Sequence, residues 1–291
     1  MCAAPLCAGL GLKPQHFSQA LACRRPGLWF EVHPENYLVE GGPRRAWLRT
    51  LRAEHPLSLH SVSLSLASEA PPDATRLAQL AALVRELEPA LVSEHLAWSS
   101  WQGAYLPDLL PFPRTGTALR AIARNIDAVQ SALGRPIAIE NPSHYLRLDG
   151  HEWEEIDFLS ELVRRTDCQL LLDVNNVAVS AHNLGTAPEA YLDRFPAHAV
   201  AEIHLAGHSP DPALGQALWI DSHDCAVAPA TWALYQHLLA RIGPRPTLIE
   251  RDGNVPDFSE LLQEQELTAI CLRRPATENA KNPEVTACPA T

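Results

Sequence analysis

The chain has 291 residues and a formal net charge of −11, spread along the sequence with no cluster of Lys or Arg, which argues against nucleic acid or an anionic membrane surface as the main partner. Its seven cysteines (Cys2, Cys7, Cys23, Cys168, Cys225, Cys271, Cys288) are scattered, odd in number and never in C-x-x-C spacing, so neither a disulfide framework nor a zinc ribbon is indicated, and a reducing, cytoplasmic location fits. No apolar run approaches the length of a membrane span, and the opening MCAAPLCAGLGL lacks the basic segment of a signal peptide.

Eight short β-like runs recur at roughly even intervals, over residues 7–12, 28–33, 56–60, 90–95, 136–141, 168–173, 200–205 and 246–250. Most end in, or run into, His, Asp, Glu or Asn. Stretches with helical spacing lie between them. Residues 75–87 carry Leu77, Leu80, Leu83, Val84 and Leu87 on one stripe, stopped by Pro89. Residues 115–133 bury Leu119, Ile122, Ile126, Val129 and Leu133, and Gly134 closes that helix. Pro56, Pro136 and Pro246 sit just before strands, where no ladder donor is lost. Eight strands alternating with helices predict a single (β/α)8 barrel, whose active site lies at the strand C-terminal ends. With no linker in the chain, one domain is expected over 1–272. Past Leu272 the sequence loses its periodicity, which predicts a disordered tail over 273–291.

Strand alternation turns this pattern into a site. In AIENP, Ala138 and Glu140 face the barrel interior while Ile137 and Ile139 face the helices. The same count turns Ser58, His60, Leu171, Asp173, Glu202, His204, Leu248 and Glu250 inward, and His95 ends the fourth strand. Imidazole and carboxylate groups crowded into one layer repel or lose their water unless they are paired or hold a cation. A mixed imidazole and carboxylate set without thiolate suits iron, manganese or zinc, without choosing among them. A second group follows: Asn176 in DVNN, His208 in HLAGH, and Asp221 with His223 in IDSH. Gly207 and the strand-like AVAEIH make the segment around His204 and His208 a strand leading into a loop rather than a helix.

Plainer roles exist for each residue. A lone buried His is usually a hydrogen-bonded core residue; Glu140, Asp173 and Glu250 could form salt bridges at the rim; Asn176 and Asp221 could cap turns. His16, His55, His151 and His237 read as surface or helix residues, and His33, between Glu31 and Glu35, is left open.

WFEVHPENY, PLSLHSVSLSL, SEHLAW, DLLPFP, IENPSHY, LLLDVNN, EIHLAGH, IDSH and LIERD, in this order from Gly9 to Asp252, resemble the multinuclear non-heme iron-dependent oxidative enzymes, typified by the methanobactin-biosynthesis oxidase. GLGLKPQHF and WFEVHPENY look most like the branch acting on bufferin-type, cysteine-rich precursors. The resemblance implies a xylose-isomerase-like TIM barrel holding two or three iron ions, mixed-valent, with dioxygen as cosubstrate. It implies that His60, His95 and Glu140 hold one iron, that Glu140 bridges to a second held by Asp173, His204 and Glu250, and that Asn176, His208, Asp221 and His223 hold a third. Glu140, Asp173, His204 and Glu250 would carry the catalysis. Glu31, His33, Glu94, Glu202 and Asp252 are supporting candidates that orient ligands or move protons. Two positions depart from the family pattern: Ser61 where Gly is commoner, and Arg251 where Trp is commoner, the latter bearing on the substrate pocket and the charge near the cluster.

The implied reaction is a four-electron or related oxidation of a cysteine in a ribosomally made precursor peptide to an oxazolone or thiooxazole-type ring. A separate partner protein that reads the leader is expected. Two other readings stay open. A metal-dependent sugar isomerase or phosphodiesterase on the same barrel would want a basic pocket, and Lys13 is the one Lys near a strand end. A non-catalytic metal-storage or chaperone protein would need no open coordination position.

Overall fold

A computed structural model describes residues 6–101 and 104–273; the tail expected after Leu272 falls outside them beyond Arg273. In chain order the strands are β1 (Ala8–Gly11), β2 (Trp29–Val32), β3 (Leu57–Ser61), β4 (Leu91–His95), β5 (Trp98–Trp101), β6 (Ala104–Leu110), β7 (Ala138–Glu140), β8 (Gln169–Asp173), β9 (Val200–Leu205), β10 (Ser209–Asp211), β11 (Gly215–Ile220) and β12 (Thr247–Ile249). The helices are α1 (Phe17–Ala22), α2 (Gly42–Glu54), α3 (Ala74–Leu87), α4 (Gly116–Leu133), α5 (Glu155–Thr166), α6 (Val174–Leu184), α7 (Pro188–Arg194), α8 (Pro229–Ile242) and α9 (Phe258–Arg273).

Eight of the strands close into a barrel in the order β1-β12-β9-β8-β7-β4-β3-β2, with every pairing parallel. These are the eight runs read from the sequence. Two antiparallel hairpins, β5–β6 and β10–β11, were not expected; each is inserted after a strand C-terminus, in the connections that follow β4 and β9. Barrel strands are covered on both faces, which is why β8 reads as the near-continuous apolar run QLLLD.

The register carries the inward set around the barrel: His60 pairs with Ser93, His95 with Glu140, Asp173 with His204, and His204 with Leu248. The outward set, including Leu59, Ile139, Leu172, Ile203 and Ile249, is buried in the apolar layer beneath the helices. At the floor of the barrel a Cβ on Gly9 would lie 2.4 Å from the Trp29 ring, so only glycine leaves room for that side chain.

Local signals set the helix ends. Thr115 Oγ1 accepts from Ala118 N at 3.1 Å to start α4, and Gly134, at φ +67°, closes it. Asp73 caps α3, and Glu88 in the left-handed region ends it just before Pro89. Of the histidines read as surface or helix residues, His16 and His55 are buried. His16 donates to Pro256 O at 2.9 Å, and His55 meets the Phe30 ring edge-on at 5.1 Å. Both sit in helix-edge positions whose periodicity gave no hint of burial.

Candidate metal centre

The site is built at the C-terminal mouth. His60 on β3 and His95 on β4 each place Nε2 3.1 Å from Glu140 Oε2 on β7, and their two Nε2 atoms lie 3.2 Å apart. Each imidazole is oriented from behind. His95 Nδ1 donates to Ser61 O at 3.1 Å, leaving its Nε2 as the lone-pair nitrogen, and His60 Nδ1 is 2.8 Å from Ser93 Oγ. Burial opposes charge on His60, yet the Glu140 and Glu31 carboxylates push its imidazole up to about 10. Burial likewise works against a charged Glu140, but His95 and His60 bring its carboxyl down to about 2.

Across the barrel, His204 on β9 is fully buried. Its Nδ1 lies 3.3 Å from Glu250 Oε2, and its Nε2 lies 3.3 Å from Glu31 and 3.6 Å from Glu202. Asp173 ends β8 and starts α6 at the same time, its Oδ1 accepting from Asn176 N at 2.6 Å as the helix N-cap. Burial, with Asp221 and Glu140 nearby, raises the Asp173 carboxyl well above its ordinary value. Asn176, on the first turn, donates from Nδ2 to Glu140 Oε1 at 3.1 Å, so it does more than cap a turn.

Among the described residues, four overlapping groups bring ligand atoms within 4.8 Å of one another: His60, Glu140 and His204; Glu31, His204 and Glu250; His33, Glu250 and Asp252; and Asp173, His223 and Glu250. Glu250 belongs to three of them. It reaches the loop after β11 as well, with Oε2 3.3 Å from His223 Nδ1. His223 adopts φ 49° and is pinned there, its N–H donating to Gly207 O and its carbonyl accepting from Asp252 N. Gly207 is itself forced: a Cβ would lie 2.3 Å from the Cys225 carbonyl oxygen.

His95, His208 and Asp221 fall outside these four groups; His95 adjoins the first through Glu140, whereas His208 and Asp221 stand apart. They meet through Asn175, a residue that sequence reasoning passed over. Burial lowers the His208 imidazole from its ordinary value, against the pull of Asp221. The only cue to Asn175 in the sequence is its adjacency to Asn176, and strand alternation cannot place it because the helix starts at the strand end. Glu31, Glu202, His33 and Asp252, read as supporting residues, all lie at the cluster: Glu31 and Glu202 below His204, His33 and Asp252 at the rim.

The donor chemistry fits a metal. Among the described residues, Glu31 Oε2, Glu140 Oε2, Asp173 Oδ2, Asn176 Oδ1, both Glu202 oxygens and both His204 nitrogens are buried without a well-formed hydrogen bond, although Glu140 and His204 stand in the close ion pairs given above. Native proteins leave few such atoms, and here they converge on one place with imidazole and oxygen donors mixed and no thiolate.

A cavity of about 440 Å³ opens above the cluster. Its walls include His33, Glu35, His95, Asn176, His223 and Asp252, with Leu106, Asp108 and Leu109 contributed by the β5–β6 hairpin, and among the described residues neither Lys nor Arg lines it. Lys13 is spent on an ion pair with Asp252. Arg251 does not touch this cavity, contrary to the concern that it alters the pocket. Next to inward-facing Glu250 it points outward, buried, and donates to Glu264 Oε2 on α9 at 2.8 Å. Ser61 has a local use too, donating to Glu35 Oε1 at 2.8 Å beside Val62 N and Ser63 Oγ.

Comparison with known proteins places this geometry. Among solved structures, D-psicose 3-epimerase from Clostridium cellulolyticum H10 matches with TM-score 0.57 at 11% identity, covering 92% of this chain and 98% of that one. Endonuclease IV from Thermus thermophilus matches with TM-score 0.58 at 16% identity, covering 90% and 98%. A xylose isomerase-like TIM barrel protein from Mycobacterium smegmatis, in complex with magnesium, matches with TM-score 0.56 at 12% identity, covering 92% and 96%. At such identities the fold is shared: a xylose-isomerase-like TIM barrel. Closer in sequence, a UPF0276 protein of Caulobacter vibrioides is 59% identical over 258 residues, covering 89% of this chain and 92% of that one, and a UPF0276 protein of Bordetella bronchiseptica is 50% identical over 272 residues, covering 93% and 94%. The family model described as RiPP precursor modification enzyme MbnB/TglH/ChrH matches residues 7–272, and the chain therefore belongs to that family, the multinuclear non-heme iron-dependent oxidative enzymes that its strand-end motifs resemble.

Proposed function

We propose that this RiPP-modifying enzyme binds two or three iron ions and uses dioxygen to oxidise a cysteine of a ribosomally made precursor peptide, giving an oxazolone or thiooxazole-type product. The observation that carries the reading is the convergence of buried imidazole and carboxylate atoms, within 4.8 Å of one another, at the barrel mouth beneath an open cavity. His60, His95 and Glu140 would hold one ion. Asp173, His204 and Glu250 would hold a second, with Glu140 shared, and Asn176, His208, Asp221 and His223 a third. When bound, mixed-valent iron would activate dioxygen, which takes up the electrons removed from the cysteine.

The chain's own residues supply binding and orientation. Ser61 O and Ser93 Oγ aim the His95 and His60 rings, and Asn176 Nδ2 restrains Glu140. Glu140 and Glu250 are the shared carboxylates, each touching imidazoles from more than one strand or loop. Val62, Leu96, Leu106 and Leu109 give the cavity an apolar side against which a cysteine side chain and its flanking backbone can pack. Among the described residues no cysteine lines this cavity, so on this reading the reacting thiol comes with the peptide.

A cavity of about 440 Å³ takes a few residues, not a leader. A separate leader-recognising protein in the cytoplasm would present the precursor, and full conversion of the precursor by the purified chain alone would overturn that part. Metal analysis and Mössbauer spectroscopy on protein purified anaerobically from iron-supplemented cells test the core reading. Two to three irons per chain with a coupled mixed-valent signal, and oxygen uptake with a cysteine peptide, are expected; one zinc or manganese and no iron would overturn it.

A further inference from the structure

The four outer groups Asn176, His208, Asp221 and His223 come from a helix turn and from loops rather than from strand ends, so something must hold them in register. His208 lies in the connection between β9 and the β10–β11 hairpin, and Asp221 directly follows that hairpin. Asn175, on the first turn of α6, is fully buried between them. Its Nδ2 donates to Asp221 Oδ1 at 2.7 Å, and its Oδ1 lies 2.7 Å from His208 Nδ1. We propose that Asn175 is the positioning residue of the outer metal site, one amide holding His208 and Asp221 together and dictating which nitrogen of His208 faces the metal.

The polarity of the amide follows from its partners. A carboxylate only accepts, so the face of Asn175 against Asp221 must be the NH2. The face against His208 is then the carbonyl oxygen, which also only accepts. His208 must therefore carry its proton on Nδ1, and Nε2 is left with the free lone pair. Turning the amide over would set oxygen against oxygen at Asp221.

The same helix fixes the ring by a second route. Asn183, at the other end of α6, donates to Trp219 O at 2.9 Å and accepts from Trp219 N at 2.8 Å, gripping β11 through its backbone. The Trp219 ring stacks on His208 at 4.2 Å and on His182, also from α6, at 3.8 Å. Because Asp173 starts α6, one helix ties the inner layer to the outer loops.

This inference rests on the reading of His208 and Asp221 as ligands, and its tests separate the two. In 15N-histidine-labelled, metal-free wild-type protein, long-range 1H–15N spectra should show His208 as the Nδ1–H tautomer; an Nε2–H tautomer would overturn the proposal with no variant needed. Asn175→Ala, checked for folding by its thermal transition, should bind the outermost metal about 10–100-fold more weakly, the loss usual for a group that orients a ligand. Metal titration against a competing chelator reads that loss, and the inner ions should bind as in wild type. His208→Ala is the companion measurement. If His208→Ala loses metal and Asn175→Ala does not, the role of Asn175 is overturned. If neither does, the outer ligand reading fails and takes the proposal with it.

Discussion

Glu250 Oε2 stands 3.3 Å from His204 Nδ1, although one residue follows the last barrel strand and the other lies inside the neighbouring strand. The same oxygen is 3.3 Å from His223 Nδ1 on the loop after β11, so a single carboxylate links the barrel wall to the insertion above it. A metal bound there would tie the barrel wall to the insertion.

Stripping the metal should therefore destabilise the protein. Metal held at a thousandfold above its Kd is worth about 4 kcal/mol of folding free energy. For a chain of this size each 1 kcal/mol moves Tm by roughly 2–4 °C, so a chelator should lower Tm by about 10 °C. Calorimetry with and without chelator decides the matter, and identical transitions would show that the cluster is not loaded.

Asp173 separates ligation from capping. Asn caps a helix as well as Asp, so Asp173→Asn should leave the metal-free protein at least as stable as wild type while removing metal. Asp173→Ala removes both and should cost the metal-free protein about 1 kcal/mol. Urea midpoints and metal stoichiometry read the two effects apart; a full metal complement in Asp173→Ala would remove Asp173 from the ligand set.

Arg251 is expected to matter to folding and not to the centre. It pairs with Glu264 Oε2 at 2.8 Å in a buried setting, while Glu264 Oε1 accepts from Val227 N. Arg251→Ala should destabilise the chain by about 2 kcal/mol, in the range for losing a hydrogen bond to a charged group. Metal content should stay at the wild-type value, and a drop in it at constant folded fraction would return Arg251 to the site.

A pH dependence should come from Glu155, away from the cluster. Burial works against its charge, but His144 and Arg114 hold its carboxyl below the ordinary 4.5. A folded-state value below the unfolded one gives stability that is present above pH 4.5 and lost as pH falls toward the folded value. Metal-free wild type should therefore lose stability on acidification faster than Glu155→Gln. Urea midpoints between about pH 3 and pH 6 test this, and parallel profiles for the two proteins would refute it.

How far the sequence reached follows from the range of the forces involved. Strand runs, their spacing and the helix stripes are local, and period-two alternation already turned His60, Glu140, Asp173, His204 and Glu250 inward, as their burial and mutual contacts at the barrel mouth bear out. Helix ends written in Thr115, Gly134 and Pro89 came out within a residue or so. What only the tertiary structure decided lies where chain order stops predicting neighbours. Barrel closure brought Glu31 against His204, with β1 and β12 standing between their strands around the closed sheet. The two hairpins carry little apolar periodicity of their own, and α6 begins in the same residue that ends β8, so neither alternation nor helical spacing could assign Asn175 to a partner 46 positions away. Arg251 shows the converse: its departure from the family's commoner Trp suggested the pocket, but its place one residue past inward-facing Glu250 sends it to α9 instead. Local pattern determined which residues face inward, and three-dimensional closure determined which of them meet.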